Sequence, residues 1–168
     1  SIYLNGNSIS ANEENCRIIN IPSNYPDINT VELIWDNALY SMCRIFQNLK
    51  NLTEIDLSEF NSTLVYDMSD SFSGCSSLIS INLTNLNTSS VQYMSQLFYE
   101  CSSLTELDVS SFNTEKVVDM QLMFCGCKGL VSLNLSNFKT PKVRDMFSIF
   151  RDCTNLKYLD LSHFNTSK

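Results

Sequence analysis

Apolar side chains recur along most of this chain at a fixed interval of 26 residues. Aligning the chain with itself at that offset places eight apolar columns in register over five copies. The first column is Leu39, Val65, Val91, Val117 and Val143, and Met, Phe, Cys and Leu columns follow it in each copy. The alignment predicts a repeat array in which every unit folds alike and stacks on the next.

Each unit contains the segment L-x-x-[IL]-x-[LV], which ends in alternation of apolar and polar positions. In the first unit, Ile55 and Leu57 alternate with Glu54, Asp56 and Ser58. A period of two residues predicts a short strand with one buried face. We expect these strands to pair in parallel and in register from unit to unit.

The rest of each unit has a different period. From the Val column, the spacing V-x-x-M-x-x-x-F-x-x-C has steps of three, four and three residues, which is typical of one helix face. Thr140 and Pro141 fit a helix start, because threonine is a good N-cap and proline suits the first helical position. We expect a turn at the Asn column before these threonines and then a short helix, partly 3₁₀, in each unit.

One strand and one short helix cannot bury their apolar sides alone. The predicted fold is therefore an α/β leucine-rich repeat solenoid, with a parallel sheet on one face and short helices on the other. The stretch "FNTEKVVDMQLMFCGCKGLVSLNLSNF" resembles the BspA-like leucine-rich repeats of bacterial and protist surface proteins and mycoplasma lipoproteins. This resemblance implies adhesion or binding of host or matrix proteins, and it brings no catalytic residues.

The two ends of the chain differ from the array. Residues 1–38 are interpreted as an N-terminal capping region with two degenerate strands, one around Ile19 and one ending at Leu33. Residues 39–168 are the array of about five 26-residue units. The sequence stops where another helix is expected, so we predict an open C-terminal end, covered by further repeats or by end-to-end self-association.

The composition and net charge of the chain limit the classes of partner that it can bind. Hydrophobic residues make up 43% and charged residues 17% of a chain with a net charge of −7, which suits a folded protein and disfavours nucleic acid or anionic lipid. Residues 1–84 carry ten acids against three bases, so a cationic partner for that half stays open. No apolar run reaches about 20 residues and the start has no secretory pattern, so we expect no direct membrane insertion in this stretch.

Four of the seven cysteines share one column, in which Leu49 stands in the first unit. A position that Cys shares with Leu predicts buried free thiols, with disulfides between neighbouring units as the alternative. Cys125 and Cys127 resemble half of a zinc site without a second pair of ligands. His163 is predicted to be an exposed loop residue. We therefore expect no catalytic, cofactor-binding or metal-binding residues.

The candidate binding surface is the polar side of the predicted strands, which we call the strand face. Its two columns read Asp, Asn, Asp, Asn, Asp and Glu, Ser, Glu, Ser, Tyr. Carboxylates in neighbouring units, about 4.8 Å apart, would repel by about 0.9 kcal/mol in water, and a 52-residue alternation avoids most of that cost. The candidate contact residues are Glu54, Asp56, Asn82, Glu106, Asp108, Asn134, Tyr158 and Asp160.

Two other interpretations of the strand face stay open. It is either a solvated surface that resists aggregation or, with Glu54 and Asp56 as ligands, a calcium site that lacks the usual ligand loop. Asn82 and Asn134 also lie in N-x-[ST] sequons, and glycans there would cover the face.

The predicted function is a cell-surface or secreted interaction module that binds a protein or glycan, with adhesion as its purpose. The alternative is a structural spacer, stalk or self-assembling layer. An enzyme is not expected, because no titratable cluster can be assigned to a cleft.

Overall fold

The computed structural model of the protein describes residues 2–4, 7–9, 32–33 and 39–165. Near the N-terminus, β1 (Ile2–Leu4) pairs antiparallel with β2 (Asn7–Ile9) and with β3 (Glu32–Leu33). The strand predicted to end at Leu33 is thus present, but it pairs with β1 and runs antiparallel to it. The strand predicted around Ile19 lies outside the described residues.

Four short strands lie in the array: β4 (Glu54–Asp56), β5 (Ser80–Asn82), β6 (Ser132–Leu133) and β7 (Tyr158–Leu159). β4 pairs in parallel with β5, and β6 pairs in parallel with β7, so that Ile55 lies opposite Ile81 and Leu133 opposite Leu159. The predicted in-register parallel pairing is confirmed in these two blocks. The sheet is not continuous, because residues 106–108 of the described array form no strand.

The predicted helices are wrong, because residues 39–165 contain no helix. The segments with the three-four-three spacing form chains of tight turns instead. In the first segment, Ile45, Gln47 and Leu49 each donate an N–H to the carbonyl three residues earlier, at 3.1, 3.2 and 3.3 Å. Arg44 and Asn48 have φ of 60° and 62°, which such turns use and a right-handed helix excludes. We call these segments the turn wall: 42–49, 68–75, 94–101, 120–127 and 146–153.

The remaining N–H groups of the turn wall bond to the next unit. Met42, Arg44, Phe46 and Asn48 donate to the carbonyls 25 residues later, at 2.8, 3.0, 2.9 and 2.7 Å. The same four bonds recur at each of the four interfaces between turn-wall segments. An α-helix would use these donors along its own axis, so the turns form because the neighbouring unit supplies the acceptors. The spacing of the apolar residues suits both structures and does not distinguish them.

The apolar columns form one continuous core, as predicted. The Val, Met, Phe, Cys and Leu positions of the second, third and fourth units are all 0% exposed, and they belong to a single cluster. The phenylalanine column stacks ring on ring from Phe46 to Phe150, with centroids 5.3 to 5.9 Å apart. In the last unit, Met146, Phe150 and Leu156 are only half-buried.

The threonines that were predicted to cap helices join neighbouring units instead. Buried Thr114 donates its hydroxyl to the Lys139 carbonyl at 2.7 Å and accepts the Lys139 N–H at 2.8 Å. Thr88 bridges Asn113 in the same way, at 3.0 and 2.7 Å. The N-cap prediction is therefore wrong. The turn prediction is confirmed, because Asn113 Oδ1 accepts the Glu115 N–H at 3.0 Å.

Two glycines of the turn wall lie beneath a side chain of the preceding unit at a positive φ. A Cβ on Gly74 (φ +75°) would collide with the Asn48 side chain. A Cβ on Gly126 (φ +77°) would lie 2.9 Å from Glu100 Cδ. The column thus alternates a longer residue with glycine, and it shares the two-unit period of the strand face.

Replacing Thr114 with Val should lower the free energy of unfolding by about 2 kcal/mol, because it leaves the Lys139 N–H and carbonyl without their shared partner. Urea denaturation measures the change. Thr114→Ser, which keeps the hydroxyl, is the control and should cost clearly less. Equal losses in both variants would show that the methyl group, not the hydroxyl bridge, stabilises this position.

Gly126→Ala should lower the free energy of unfolding by about 1–2 kcal/mol, because a residue with a Cβ is strained in the left-handed region. Removing the crowding side chain in a Glu100→Ala background should recover only the steric part of that loss. Urea denaturation of the two single variants and the double variant separates the backbone strain from the steric collision with Glu100. A Gly126→Ala protein as stable as the wild type would contradict this account of the turn wall.

Candidate binding face

The strand-face candidates are solvent-accessible. All of them are exposed except Asn82, which is half-buried, and Tyr158 is the most exposed at 76%. Pairing of β4 with β5 places Glu54 beside Ser80 and Asp56 beside Asn82. Pairing of β6 with β7 places Ser132 beside Tyr158. The strand face therefore consists of two paired blocks, with the unpaired third unit between them.

The Asp/Asn column has a structural role, because its side chains accept backbone hydrogen bonds where the strands end. Asp56 Oδ1 accepts the Ser58 N–H at 2.8 Å, and Asp108 Oδ1 accepts the Ser110 N–H at 2.9 Å. Asp and Asn perform this turn equally well, because both carry the accepting oxygen. Alternating them keeps the turn and halves the charge. The same bond recurs at 3.1, 3.0 and 2.8 Å at Asn82, Asn134 and Asp160.

These bonds also keep the column ionised. The Ser58 backbone N–H, followed by the Ser58 hydroxyl, lowers the pKa of Asp56. The Ser110 hydroxyl and then its N–H lower the pKa of Asp108. The Ser162 N–H is the main cause of the lowered pKa of Asp160. These hydrogen bonds therefore favour the charged form of the three aspartates.

Apolar side chains are also exposed immediately before two strands of this face, a feature that the sequence pattern did not predict. Ile79 is 58% exposed and Val131 is 42% exposed, each directly before the Ser of its strand. The acidic units have Thr53 and Thr105 at the same position. The face therefore alternates acidic units with apolar ones. A β-branched residue just outside a predicted strand pattern is the signal that would have revealed this.

The cysteine column is structural. Cys75, Cys101 and Cys127 are buried and Cys153 is half-buried. Each thiol donates to a Phe carbonyl of the preceding unit at 3.0–3.1 Å. Burial raises the pKa of Cys75 to about 12 and that of Cys153 to about 11, so these thiols are poor nucleophiles. The prediction of free thiols is confirmed for the described cysteines.

Asp70 is a buried carboxylate that the sequence analysis missed. Its Oδ2 lies 3.6 Å from Arg44 Nε, and its Oδ1 accepts a hydrogen bond from Gln47 Nε2 at 3.3 Å. Burial raises its pKa more than Arg44 lowers it. The folded-state pKa of Asp70 exceeds its unfolded value. The contribution of Asp70 to stability therefore declines as the pH rises from the unfolded pKa through the folded pKa. Its partners are internal to the turn wall, so Asp70 belongs to the fold and not to the binding face.

Within the described ranges, no three His, Cys, Asp or Glu side chains approach one another closely enough to hold a metal ion. His163 is exposed, as predicted. No helix in the described part of the chain has the length and apolar character needed to cross a membrane.

Comparison with known proteins identifies the family. The model of the family described as "Mycoplasma protein of unknown function, DUF285" matches residues 28–130 and 104–168. The chain belongs to this family and is a BspA-like leucine-rich repeat protein. No curated protein matches it.

Two solved structures are similar to the chain. A leucine-rich repeat protein from T. pallidum is 24% identical over 69% of this chain and 48% of its own, with a TM-score of 0.46. A leucine-rich repeat protein from Bacteroides ovatus is 16% identical over 93% of this chain and 50% of its own, with a TM-score of 0.39. The chain spans about half the length of each of these proteins.

Asp108→Ala should lower the urea midpoint at pH 7, because the Ser110 N–H loses its acceptor, whereas Asp108→Asn should stay near the wild type. The folded-state pKa of Asp108 lies below its unfolded value, so the stabilisation from its charge is present above the unfolded pKa and disappears as the pH falls through the folded pKa. Asp108→Asn should therefore lose less stability than the wild type between pH 7 and about pH 3. Equal destabilisation of both variants at pH 7 would show that the charge, not the acceptor, matters.

Proposed function

We propose that this chain is a cell-surface or secreted interaction module that binds a protein or glycan ligand through the strand face, without enzymatic activity. The observation that carries the proposal is the exposure of Tyr158, Ile79 and Val131 beside the acidic residues of that face. Exposed apolar side chains that lie close together on one surface are typical of interaction sites. Exposed apolar groups interspersed with charges suit recognition of a partner.

The chemistry of the face favours a partner with basic and apolar groups. Glu54, Asp56, Glu106 and Asp108 supply negative charge in alternate units, and the units between them supply Ile79 and Val131. A protein surface with Lys or Arg side chains flanking apolar ones would complement this pattern. A strongly acidic partner would be repelled.

Family membership supports the surface location and the adhesive role. The chain belongs to a family described from Mycoplasma proteins, and its repeats resemble those of bacterial and protist surface proteins. Because the chain spans about half of the solved relatives, the activity and partners of the whole protein are part of the proposal.

A structural spacer is the second candidate. Each interface of the turn wall is closed by four backbone bonds that do not depend on side-chain identity, which suits a stiff, extendable rod. End-to-end self-association through half-buried Phe150, Leu156 and Leu159 would belong to this role. Sedimentation velocity over a concentration series tests it, and a monomer at all concentrations counts against self-association.

Binding of the wild type to immobilised extracellular matrix proteins and mucins should be saturable, and Glu54→Gln with Glu106→Gln should weaken it about tenfold, or about 1.4 kcal/mol. Surface plasmon resonance measures the change. The matched control removes two exposed carboxylates outside the strand face, in Glu115→Gln with Asp152→Asn. Equal losses in both double variants would implicate net charge, and an absence of saturable binding would favour the spacer.

A further inference from the structure

A second surface, distinct from the strand face, runs along the edge of the turn wall. It consists of the two columns on either side of the buried Val column, which are exposed except for the half-buried Ser90 and Val118. In the second unit, Val65 is fully buried, whereas Leu64 and Tyr66 are each 45% exposed. The column before Val reads Leu64, Ser90, Lys116 and Lys142, and the column after the Val column reads Tyr40, Tyr66, Gln92, Val118 and Arg144. We call this surface the graded face.

Backbone hydrogen bonds fix the spacing of the graded face. The N–H groups of Tyr66, Gln92, Val118 and Arg144 each donate to the carbonyl of the preceding unit in the same column, at 2.8, 2.8, 2.8 and 2.9 Å. Each step advances by one unit, about 4.8 Å, so the face from Tyr40 to Arg144 is about 19 Å long. The side chains along it are therefore held at a regular interval on a rigid support.

The side-chain chemistry changes steadily along this length. The second unit presents Leu64 and Tyr66, and Tyr40 precedes them. The next pair is the neutral Ser90 and Gln92. The following pairs are Lys116 with Val118, and then Lys142 with Arg144. The graded face is thus aromatic and apolar at one end, neutral and polar in the middle, and basic at the other end.

Tyr93, which follows Gln92 in the neutral unit and borders the graded face, interrupts a structural pattern. In the column of Tyr93, the other units place a side-chain oxygen that caps a backbone N–H two residues later. Tyr93 has no oxygen within reach of that position, so the Ser95 N–H is not capped in this way. Its ring is instead 40% exposed and lies next to the unit of Tyr66. A capping residue has been replaced by an exposed aromatic side chain at this place.

The basic end interrupts a second pattern. Acidic residues on the strand face skip every second unit, but Lys116 and Lys142 occupy the same column in adjacent units, and Arg144 lies two residues beyond Lys142. All three are exposed. Like charges this close repel one another. Glu115 accepts a hydrogen bond from Lys139 at 2.7 Å and is attracted by Lys142. Asp119 and Asp145 follow Val118 and Arg144 in the chain, so the excess of bases at this end is small, in a chain whose net charge is −7.

We propose that the graded face binds an acidic oligosaccharide whose neutral sugars lie against Tyr40, Tyr66 and Tyr93 and whose anionic terminal group is held by Lys116, Lys142 and Arg144. Exposed tyrosine rings offer flat apolar surfaces for the C–H faces of sugars, with a hydroxyl for hydrogen bonding. Lys and Arg bind carboxylate or sulfate through charge-assisted hydrogen bonds. Ser90 and Gln92 provide donors and acceptors for sugar hydroxyls between the two ends.

A peptide ligand fits this surface less well. A peptide that extends a sheet needs free backbone N–H and carbonyl groups at an edge. In the column after Val, the N–H groups of Tyr66, Gln92 and Val118 and the carbonyls of the same three residues are already used between units. Recognition therefore depends on side chains spread over a regular, flat surface, which suits a chain of sugar rings.

The test uses a biotinylated oligosaccharide of neutral sugars that ends in sialic acid, and the same oligosaccharide after sialidase treatment. Biolayer interferometry with the whole chain should show binding of the sialylated form, weakened about tenfold or more by removal of the acid. The double variant Lys142→Ser with Arg144→Gln introduces the residue types of the neutral pair, Ser90 and Gln92. It should cause a similar loss of binding to the sialylated form. Leu64→Ser with Tyr66→Gln should weaken binding of both forms.

The charge control is Lys128→Ser with Lys157→Thr, which removes two bases outside the graded face and copies residues of other units in the same columns. It should bind the sialylated oligosaccharide like the wild type. Tyr93→Asn should raise the urea midpoint, because it restores the cap on the Ser95 N–H, and it should still weaken glycan binding. A purely structural Tyr93 would not show these opposite effects.

Three results would overturn the proposal. The first is that neither oligosaccharide binds. The second is that the charge control loses as much binding as Lys142→Ser with Arg144→Gln. The third is that an acidic tyrosine-rich peptide binds at the same residues while the glycan does not. The strand-face variants Glu54→Gln with Glu106→Gln should leave sialylated-glycan binding unchanged. The two surfaces can therefore fail independently.

Discussion

Hydrogen bonds between the backbones of successive turn-wall segments are the constraint on which the rest of this structure depends. Every second N–H of a segment is donated to the following unit, and the N–H groups between them close tight turns within the segment. This division satisfies the backbone without a helix and sets the distance between units. The stacked phenylalanines, the thiols that bond to Phe carbonyls and the threonine bridges all require that distance. The core is continuous because the backbone places each unit directly on its neighbour.

A second level of order has a period of two units. The strand face alternates acids with Ser and Asn, exposed Ile79 and Val131 alternate with threonines, and Gly74 and Gly126 alternate with longer residues that cover them. The three alternations involve different physical properties. The first concerns charge repulsion, the second the exposure of apolar side chains, and the third the steric overlap of a side chain with the residue beneath it. Their agreement indicates that the repeating element of this protein is a pair of units. The interior has the single-unit period, and the surface has the double one.

The sequence was sufficient for the core and for the strand register, because both follow from columns of apolar residues that recur without exception. It was insufficient for the turn wall, because the step of three, four and three residues suits a helix as well as a chain of turns. Arg44 and Leu122 adopt a positive φ although nothing in their chemistry favours it, whereas Gly74 and Gly126 are of the residue type that favours such a φ. The strand face was correctly expected to be exposed, but the capping role of Asp56 was visible only once Ser58 had been placed. The tyrosines of the graded face could have been found by comparing exposed columns, since they break the pattern as clearly as Tyr158 does.

The direction of the turn-wall bonds gives the array an electrical polarity. All of these N–H groups point towards higher residue numbers and their acceptor carbonyls point back, so the peptide dipoles add along the axis instead of cancelling as they largely do in a sheet. The positive ends of these dipoles therefore face higher residue numbers, and their negative ends face lower ones. The bonds of the graded face run the other way, because the Arg144 N–H points back to the Val118 carbonyl, so the side chains of Lys142 and Arg144 alone attract anions there. Two such rods would also attract one another head to tail and repel head to head.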